Sequence, residues 1–169
     1  MTEAAPTPNL TVARTLPEAW RDLRAVRLSM LLDTPLAFGS TYAREAAFTE
    51  ATWRERAAGL TWMARSGDLP VGSVTLFRPE EVPADEIVLV GMWVAAHARG
   101  GPAAAALVDA AVLHARGLGL RRVLLDVAEQ NTRAAAFYRR LGFRPTGRVG
   151  VLPHSCNVSE LEMALALDG

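Results

Sequence analysis

The chain has 169 residues, of which 50% are hydrophobic and 21% are charged, a composition typical of a globular protein with a substantial core. Its 18 basic and 18 acidic side chains give a formal charge of zero, which argues against a broad nucleic-acid-binding surface. Cys156 is the single cysteine, so no internal disulfide is expected, and no apolar run has the length of a membrane span. We therefore expect one domain over residues 1–169, with residues 1–9 as a flexible tail and a cytoplasmic location.

The beginning of the chain predicts one strand and two helices. Residues 10–15 have the β-branched character of a strand. Apolar residues at helical spacing then predict a helix that begins near Pro17 and ends before Pro35, and Thr49 or Glu50 can cap a second helix. Only a turn is predicted between the two helices. They form either a flap over a site or a simple cover for a sheet.

The next segment predicts a β-hairpin. Residues 61–65 and 71–77 both have strand character, and the turn-forming residues between them favour an antiparallel pair. Residues 78–85 contain two prolines and several acids, and they predict a loop.

A near-continuous apolar run over residues 87–94 predicts a strand that is covered on both faces. Arg99 and two glycines follow, and then Pro102 is well placed to open a helix, because a first helical residue needs no N–H partner. A helix start preceded by glycines offers free backbone N–H groups and the positive end of the helix dipole. This segment predicts a phosphate site, and an ordinary strand–turn–helix without a ligand is the alternative.

The remaining pattern completes an α/β fold. A strand over residues 122–128 closes a strand–helix–strand unit, which requires parallel strands. Asn131 is expected to cap a further helix that ends at Gly142, and residues 143–149 and 160–167 are the last predicted strands. The order of elements predicts a mixed sheet with helices on both faces.

Two segments of the chain resemble a known protein family. WVAAHARGGPAAAAL, residues 93–107, and NTRAAAFYRRLGF, residues 131–143, are similar to the two motifs of the GNAT superfamily, the acyl-CoA-dependent N-acyltransferases. The second motif is the more specific, because it joins Asn131 to Tyr138 and then to Leu-Gly-Phe. The resemblance implies a mostly antiparallel sheet of about six or seven strands that contains one splayed parallel pair. It is strongest to small bacterial members of unassigned substrate.

The resemblance implies acetyl-CoA as co-substrate, with no metal. Backbone groups at the end of the central strand would bind the pantetheine arm and polarise the acetyl carbonyl. The diphosphate pattern of the family is matched at Arg99 and Ala104 and broken at Pro102, where glycine is usual, so one N–H donor is lost and weaker binding is expected. The residues implied in coenzyme binding are Met92, Trp93, Val94, Arg99, Gly100, Gly101, Pro102, Ala103, Ala104, Asn131 and Tyr138.

The implied reaction is direct transfer of an acetyl group from acetyl-CoA to a primary amine of a small molecule or protein, within a ternary complex. Tyr138 is the expected general acid, because a phenol with a pKa of about 10 can protonate a leaving thiolate without ionising at neutral pH. Packing on the sheet is the alternative role of this tyrosine. Glu86 is the expected base, since some family members carry a glutamate thirteen residues before the position of Arg99. A solvated charge is the alternative role of Glu86.

Two other functions stay open at this point. The break at Pro102 is compatible with a non-catalytic acyl-CoA-binding or regulatory module. A domain that binds another phosphate ligand, such as a nucleotide, would leave the spacing of Asn131 and Tyr138 unexplained. His154 and Cys156 fall in a late loop with neither metal-ligand spacing nor an activating partner for the thiol. Nucleic-acid and membrane partners are not expected, and a homodimer is compatible with the resemblance.

Overall fold

A computed structural model describes residues 9–151 and 158–167, which form a seven-stranded sheet with five α-helices around it. The strands are β1 Leu10–Arg14, β2 Thr61–Ser66, β3 Leu69–Phe77, β4 Glu86–Val94, β5 Arg122–Ala128, β6 Arg144–Val151 and β7 Ser159–Ala166. The helices are α1 Trp20–Asp33, α2 Tyr42–Ala46, α3 Glu50–Ala58, α4 Ala103–Gly117 and α5 Thr132–Arg140. None of these helices is long and apolar enough to cross a membrane.

The strands lie in the order β1-β2-β3-β4-β5-β7-β6, and every neighbouring pair is antiparallel except β4 and β5. The predicted mixed, mostly antiparallel sheet with one parallel pair is therefore confirmed. The parallel pairing is short, because it runs from Glu86 opposite Arg122 to Val88 opposite Leu124 and then stops. Beyond that point the sheet opens between β4 and β5.

Helices cover both faces of the sheet. The larger core lies under α4 and α5, where Leu107 and Ala111 of α4 contact inward-facing residues of the central strands such as Leu89 and Val123. A smaller cluster lies on the opposite face under α1 and α3, and its members are Leu23, Val26, Ala57 and Met63. The alternation of strand side chains assigns each residue near the opening to one of these two faces.

Local chemistry explains where several elements begin and end. The Thr49 side chain caps α3 by accepting a hydrogen bond from the Thr52 N–H. The Asn131 side chain caps α5 in the same way, with its Oδ1 3.1 Å from the Ala134 nitrogen. Both caps confirm the sequence prediction, and each contributes about 1 kcal/mol to helix stability.

The structure also corrects three local predictions. The hairpin turn is shorter than predicted, because Gly67 takes a positive φ of 59° that allows a tight turn directly after Ser66. Residues 42–46, for which no helix was predicted, form α2, which Thr41 caps. Helix α4 begins at Ala103, one residue after Pro102. The loop with His154 and Cys156 lies outside the residues that the structure describes.

Candidate active site

The opening between β4 and β5 is the centre of the candidate site. Past Val88, strand β4 has a register partner only on the β3 side. Even that pairing is interrupted, because Gly91 and Met92 bulge out of the register with β3 and Gly91 takes a φ of +60°. Met92, Trp93 and Val94 thus lie where the resemblance places the pantetheine arm. Their position leaves backbone polar groups of β4 available on the side that faces the opening.

The start of α4 presents a row of free backbone donors. In the described part of the chain, the N–H groups of Gly100, Gly101, Ala103 and Ala104 have no hydrogen-bond partner. Pro102 lies among them without an N–H, and Gly100 has a φ of +83° that only glycine adopts readily. Unpaired N–H groups at a helix N-terminus attract phosphate through both hydrogen bonds and the helix dipole.

An open cleft of about 600 Å³ runs along this helix start. Its walls come from the loop before α4 and from the neighbouring ends of β1, β2 and β3, and the residues that line it are Asn9, Leu10, Ser66, Val71, His97, Ala98, Arg99, Gly101, Pro102 and Ala103. Gly101 and Ala103 belong to both the donor row and the wall of the cleft. His97 also lies in the wall of the cleft.

The Arg99 side chain is bound to two other residues of the chain. Its Nε donates to the Val94 carbonyl at 2.9 Å, and an Nη nitrogen pairs with the Asp33 carboxylate at the end of α1. Asp33 also accepts a hydrogen bond from Trp93 Nε1 at 2.9 Å. The hydrogen bonds from Trp93 and Arg99 hold the pKa of Asp33 below its usual value. The Trp93 side chain therefore packs against the smaller core cluster and also holds the Asp33 carboxylate.

Tyr138 lies on α5 with its ring in the larger core cluster. The ring makes edge contacts with Phe137 and Phe143, at centroid distances of 5.1 and 5.6 Å. Burial raises the pKa of the Tyr138 phenol well above its usual value, so the hydroxyl keeps its proton at neutral pH. Within the described residues the hydroxyl has no hydrogen-bond partner, which leaves it available as a proton donor.

Glu86 lies at the opposite end of β4 from the other predicted residues. It is 2% exposed, and its Oε1 accepts hydrogen bonds from both Arg121 and Arg122. These ion pairs hold the start of β4 against the start of β5. Tyr138 and Ala103, at the start of α4, belong to the same core cluster, whereas Glu86 lies where β4 and β5 are paired, in a contact that stabilises the fold.

Asp126 is a carboxylate at the opening that the sequence reasoning missed. It lies on β5 two residues past Leu124, the last residue paired with β4. Val123, Leu125 and Val127 point into the core under α4 and α5, so Asp126 faces the other side of the sheet. The residue is exposed to solvent on that face, but partial desolvation of its carboxylate raises its pKa and the nearby charge of Glu162 raises it further, while Arg148 opposes them. A single charge inside the apolar run VLLDVA was the signal that could have identified it.

Comparison with known proteins agrees with this geometry. The family described as "Acetyltransferase (GNAT) family" matches residues 24–143, which include both motifs and the α4 start. The chain belongs to the GNAT acetyltransferase family. Its acceptor is not fixed by this membership, because sites for different amines are built on the same fold.

Individual relatives of this GNAT protein are distant. A mycothiol acetyltransferase from Parafrankia sp. (strain EAN1pec) is 45% identical over 62 residues, which cover 37% of this chain and 19% of that protein. The match thus spans about a fifth of the curated relative's length.

Solved structures share the fold at low identity. A putative acetyltransferase from Salmonella typhimurium, solved with its cofactor acetyl-CoA, has a TM-score of 0.77 and 15% identity, covering 95% of each chain. A GNAT-family acetyltransferase from Streptococcus pneumoniae has a TM-score of 0.75 and 18% identity, covering 94% of this chain and 99% of that chain.

Proposed function

We propose that this protein is an N-acetyltransferase that moves an acetyl group from acetyl-CoA to a primary amine. The observation that carries the proposal is the row of free N–H groups over residues 100–104, which follows the end of β4 that has no partner on β5. The row would hold the diphosphate, and acetyl-CoA when bound would supply an activated thioester. Family membership and the acetyl-CoA-bound neighbour support the same assignment.

Backbone groups of the bulged part of β4 would orient the thioester and polarise its carbonyl. Donors that are already fixed in place stabilise developing negative charge without reorganisation. Gly91 and Met92 are suited to this role because neither has a register partner on β3 or β5.

Two side chains would move protons. Asp126 would accept a proton from the attacking amine, directly or through one water, and its raised pKa makes it a better base than an ordinary aspartate. The nitrogen–carbon bond forms as the carbon–sulfur bond breaks, and Tyr138 would give its proton to the departing sulfur. Tyr138 would then regain a proton from solvent. We place Asp126 in the role of base because Glu86 is held by Arg121 and Arg122.

The test is a coupled assay of CoA release with purified protein, acetyl-CoA and a broad panel of primary amines. Amine-dependent release of CoA, with an acetylated product in the mass spectrum, supports the proposal. Calorimetric binding of CoA without transfer to any amine would instead support the alternative of a non-catalytic binding module. Stabilisation by ATP and not by CoA would favour a nucleotide-binding domain.

A further inference from the structure

Arg27 on α1 is a charged side chain held in one orientation. Glu45, which is completely buried, accepts hydrogen bonds from Arg27 Nε and Nη2, both at 2.8 Å. Arg56 Nη1 reaches the same carboxylate at 3.0 Å. Two guanidinium groups therefore share one carboxylate, so the cluster keeps one net positive charge. Burial disfavours ionisation of Glu45, but its bonds to Arg27 outweigh that effect and the pKa of Glu45 lies below its usual value.

The third nitrogen of this guanidinium lies over Gly91, in the part of β4 that has no partner on β5. Arg27 Nη1 lies 3.2 Å from the place that a Cβ on Gly91 would occupy, so it covers the bulge of β4 directly. Its contact in the structure is the Met30 sulfur at 3.5 Å, and a thioether is a weak acceptor. The Arg27 side chain is 20% exposed, so part of it reaches solvent.

Negative charge lies on the other side of the same opening. Asp126 of β5 is directly opposite Glu162 of β7, and Glu160 lies two residues before Glu162 on the same face. This is the sheet face away from α4 and α5, which is also the face that Arg27 covers. An acceptor in the opening would therefore have a guanidinium edge on its β4 side and carboxylates on its β5 side.

We propose that the acceptor is a zwitterionic amine of the amino-acid type, whose carboxylate binds Arg27 Nη1 and whose amino group faces Asp126. The inference rests on the proposed function and assigns its substrate class. Arg27 is a specificity-determining residue in this arrangement, because the free edge of a guanidinium matches a carboxylate oxygen. A polyamine fits less well, since its second ammonium group would face the cationic cluster.

The experiment compares free amino acids with their amides, which keep the amino group and lose the negative charge. Simple diamines are included in the same CoA-release assay. For the unaltered protein we expect at least one amino acid whose kcat/KM exceeds that of its amide by about tenfold or more, the range of a charge-assisted hydrogen bond. Equal or better use of the amides, or a preference for diamines, overturns the substrate class while the acetyltransferase function stands.

Two matched variants test whether Arg27 is the residue that causes the preference for the amino acid over its amide. Arg27→Gln and Arg56→Gln each remove one cation from Glu45, but only Arg27 lies against Gly91. We expect Arg27→Gln to lower the acid-to-amide ratio of kcat/KM about tenfold and Arg56→Gln to keep it. An equal fall in both variants overturns the role of Arg27. If Arg27→Gln fails to fold, the acid-to-amide ratio of kcat/KM in the unaltered protein is the test of the substrate class. Absence of transfer to every amine overturns the proposed function, and this inference with it.

Discussion

Asp126 on β5 lies directly opposite Glu162 on β7, so two carboxylates share one patch of an antiparallel sheet. Like charges placed opposite each other in a sheet destabilise it. Partial desolvation raises the pKa of both Asp126 and Glu160, the charge of Glu162 raises that of Asp126 further, and the charge of Asp126 raises that of Glu160 further. An arrangement that weakens the fold in this way is common where carboxylates serve a reaction.

Asp126→Asn should make the protein more stable at neutral pH. The pKa of Asp126 is raised above its unfolded value of about 3.9, so the folded protein binds more protons in the window between the two pKa values. Stability therefore falls as pH rises through that window, and asparagine avoids this loss. Urea unfolding at several pH values should show an advantage that is largest at neutral pH and disappears in acid. A variant less stable at neutral pH would contradict the expected sign.

The same substitution should lower activity. Removal of a general base typically costs about 10²–10⁴-fold in rate, and we expect kcat/KM of Asp126→Asn to fall within that range. The acid limb of the pH–rate profile should disappear as well.

Glu86→Gln is the comparison variant for this measurement. It weakens buried ion pairs with Arg121 and Arg122, so we expect a lower melting temperature and an unchanged acid limb. Loss of the limb in Glu86→Gln and its retention in Asp126→Asn would assign the base to Glu86.

Tyr138→Phe should separate chemistry from binding. The tyrosine ring packs against Phe137 and Phe143 and its hydroxyl has no partner in the part of the chain that the structure describes, so the variant should fold normally. We expect kcat to fall about 10²–10⁴-fold with little change in the acetyl-CoA Kd. Steady-state kinetics and calorimetry measure the two quantities. Full activity across the pH range would remove Tyr138 from the mechanism.

Pro102→Ala should strengthen coenzyme binding. The substitution adds an N–H to a row that already contains four free donors, and one hydrogen bond to a phosphate is worth about tenfold in Kd. Loss of a proline also lowers stability by about 0.4–1 kcal/mol through the unfolded state. Pro79→Ala, in the loop between β3 and β4, should reproduce the stability loss without the gain in affinity. Titration calorimetry measures the Kd of acetyl-CoA for both variants. An unchanged Kd in Pro102→Ala would mean that residue 102 does not face the diphosphate.

Gly91→Ala and Gly67→Ala form a second matched pair. Both glycines have a φ near +60°, so each alanine costs about 1–2 kcal/mol of stability. A Cβ at residue 91 would also press on Arg27 Nη1 at 3.2 Å, whereas one at residue 67 would meet nothing within 4 Å. We therefore expect Gly91→Ala to lose activity and Gly67→Ala to keep it after correction for unfolded protein. Equal activity losses in the two variants would show that the bulge at Gly91 is not part of the active site.

The sequence by itself determined most of the fold and indicated where the candidate site lies. Hydrophobic periodicity and caps at Thr49 and Asn131 fixed the elements within a few residues, because these signals act between neighbours in the chain. The glycines before α4 and the spacing of Asn131 and Tyr138 indicated the family, and with it the region of the coenzyme. Caps and motif spacings can be read from the sequence because they depend on residues close together in the chain.

Only the tertiary structure decided which charges face the opening. Glu86 looked suitable from its offset to Arg99, but pairing with Arg121 and Arg122 depends on the register of β4 and β5. Asp126 and Arg27 are 99 residues apart in number and lie on one sheet face because α1 packs over the bulge while β5 diverges from β4. Side-chain partners across strands follow from register and packing, and no short stretch of sequence contains them.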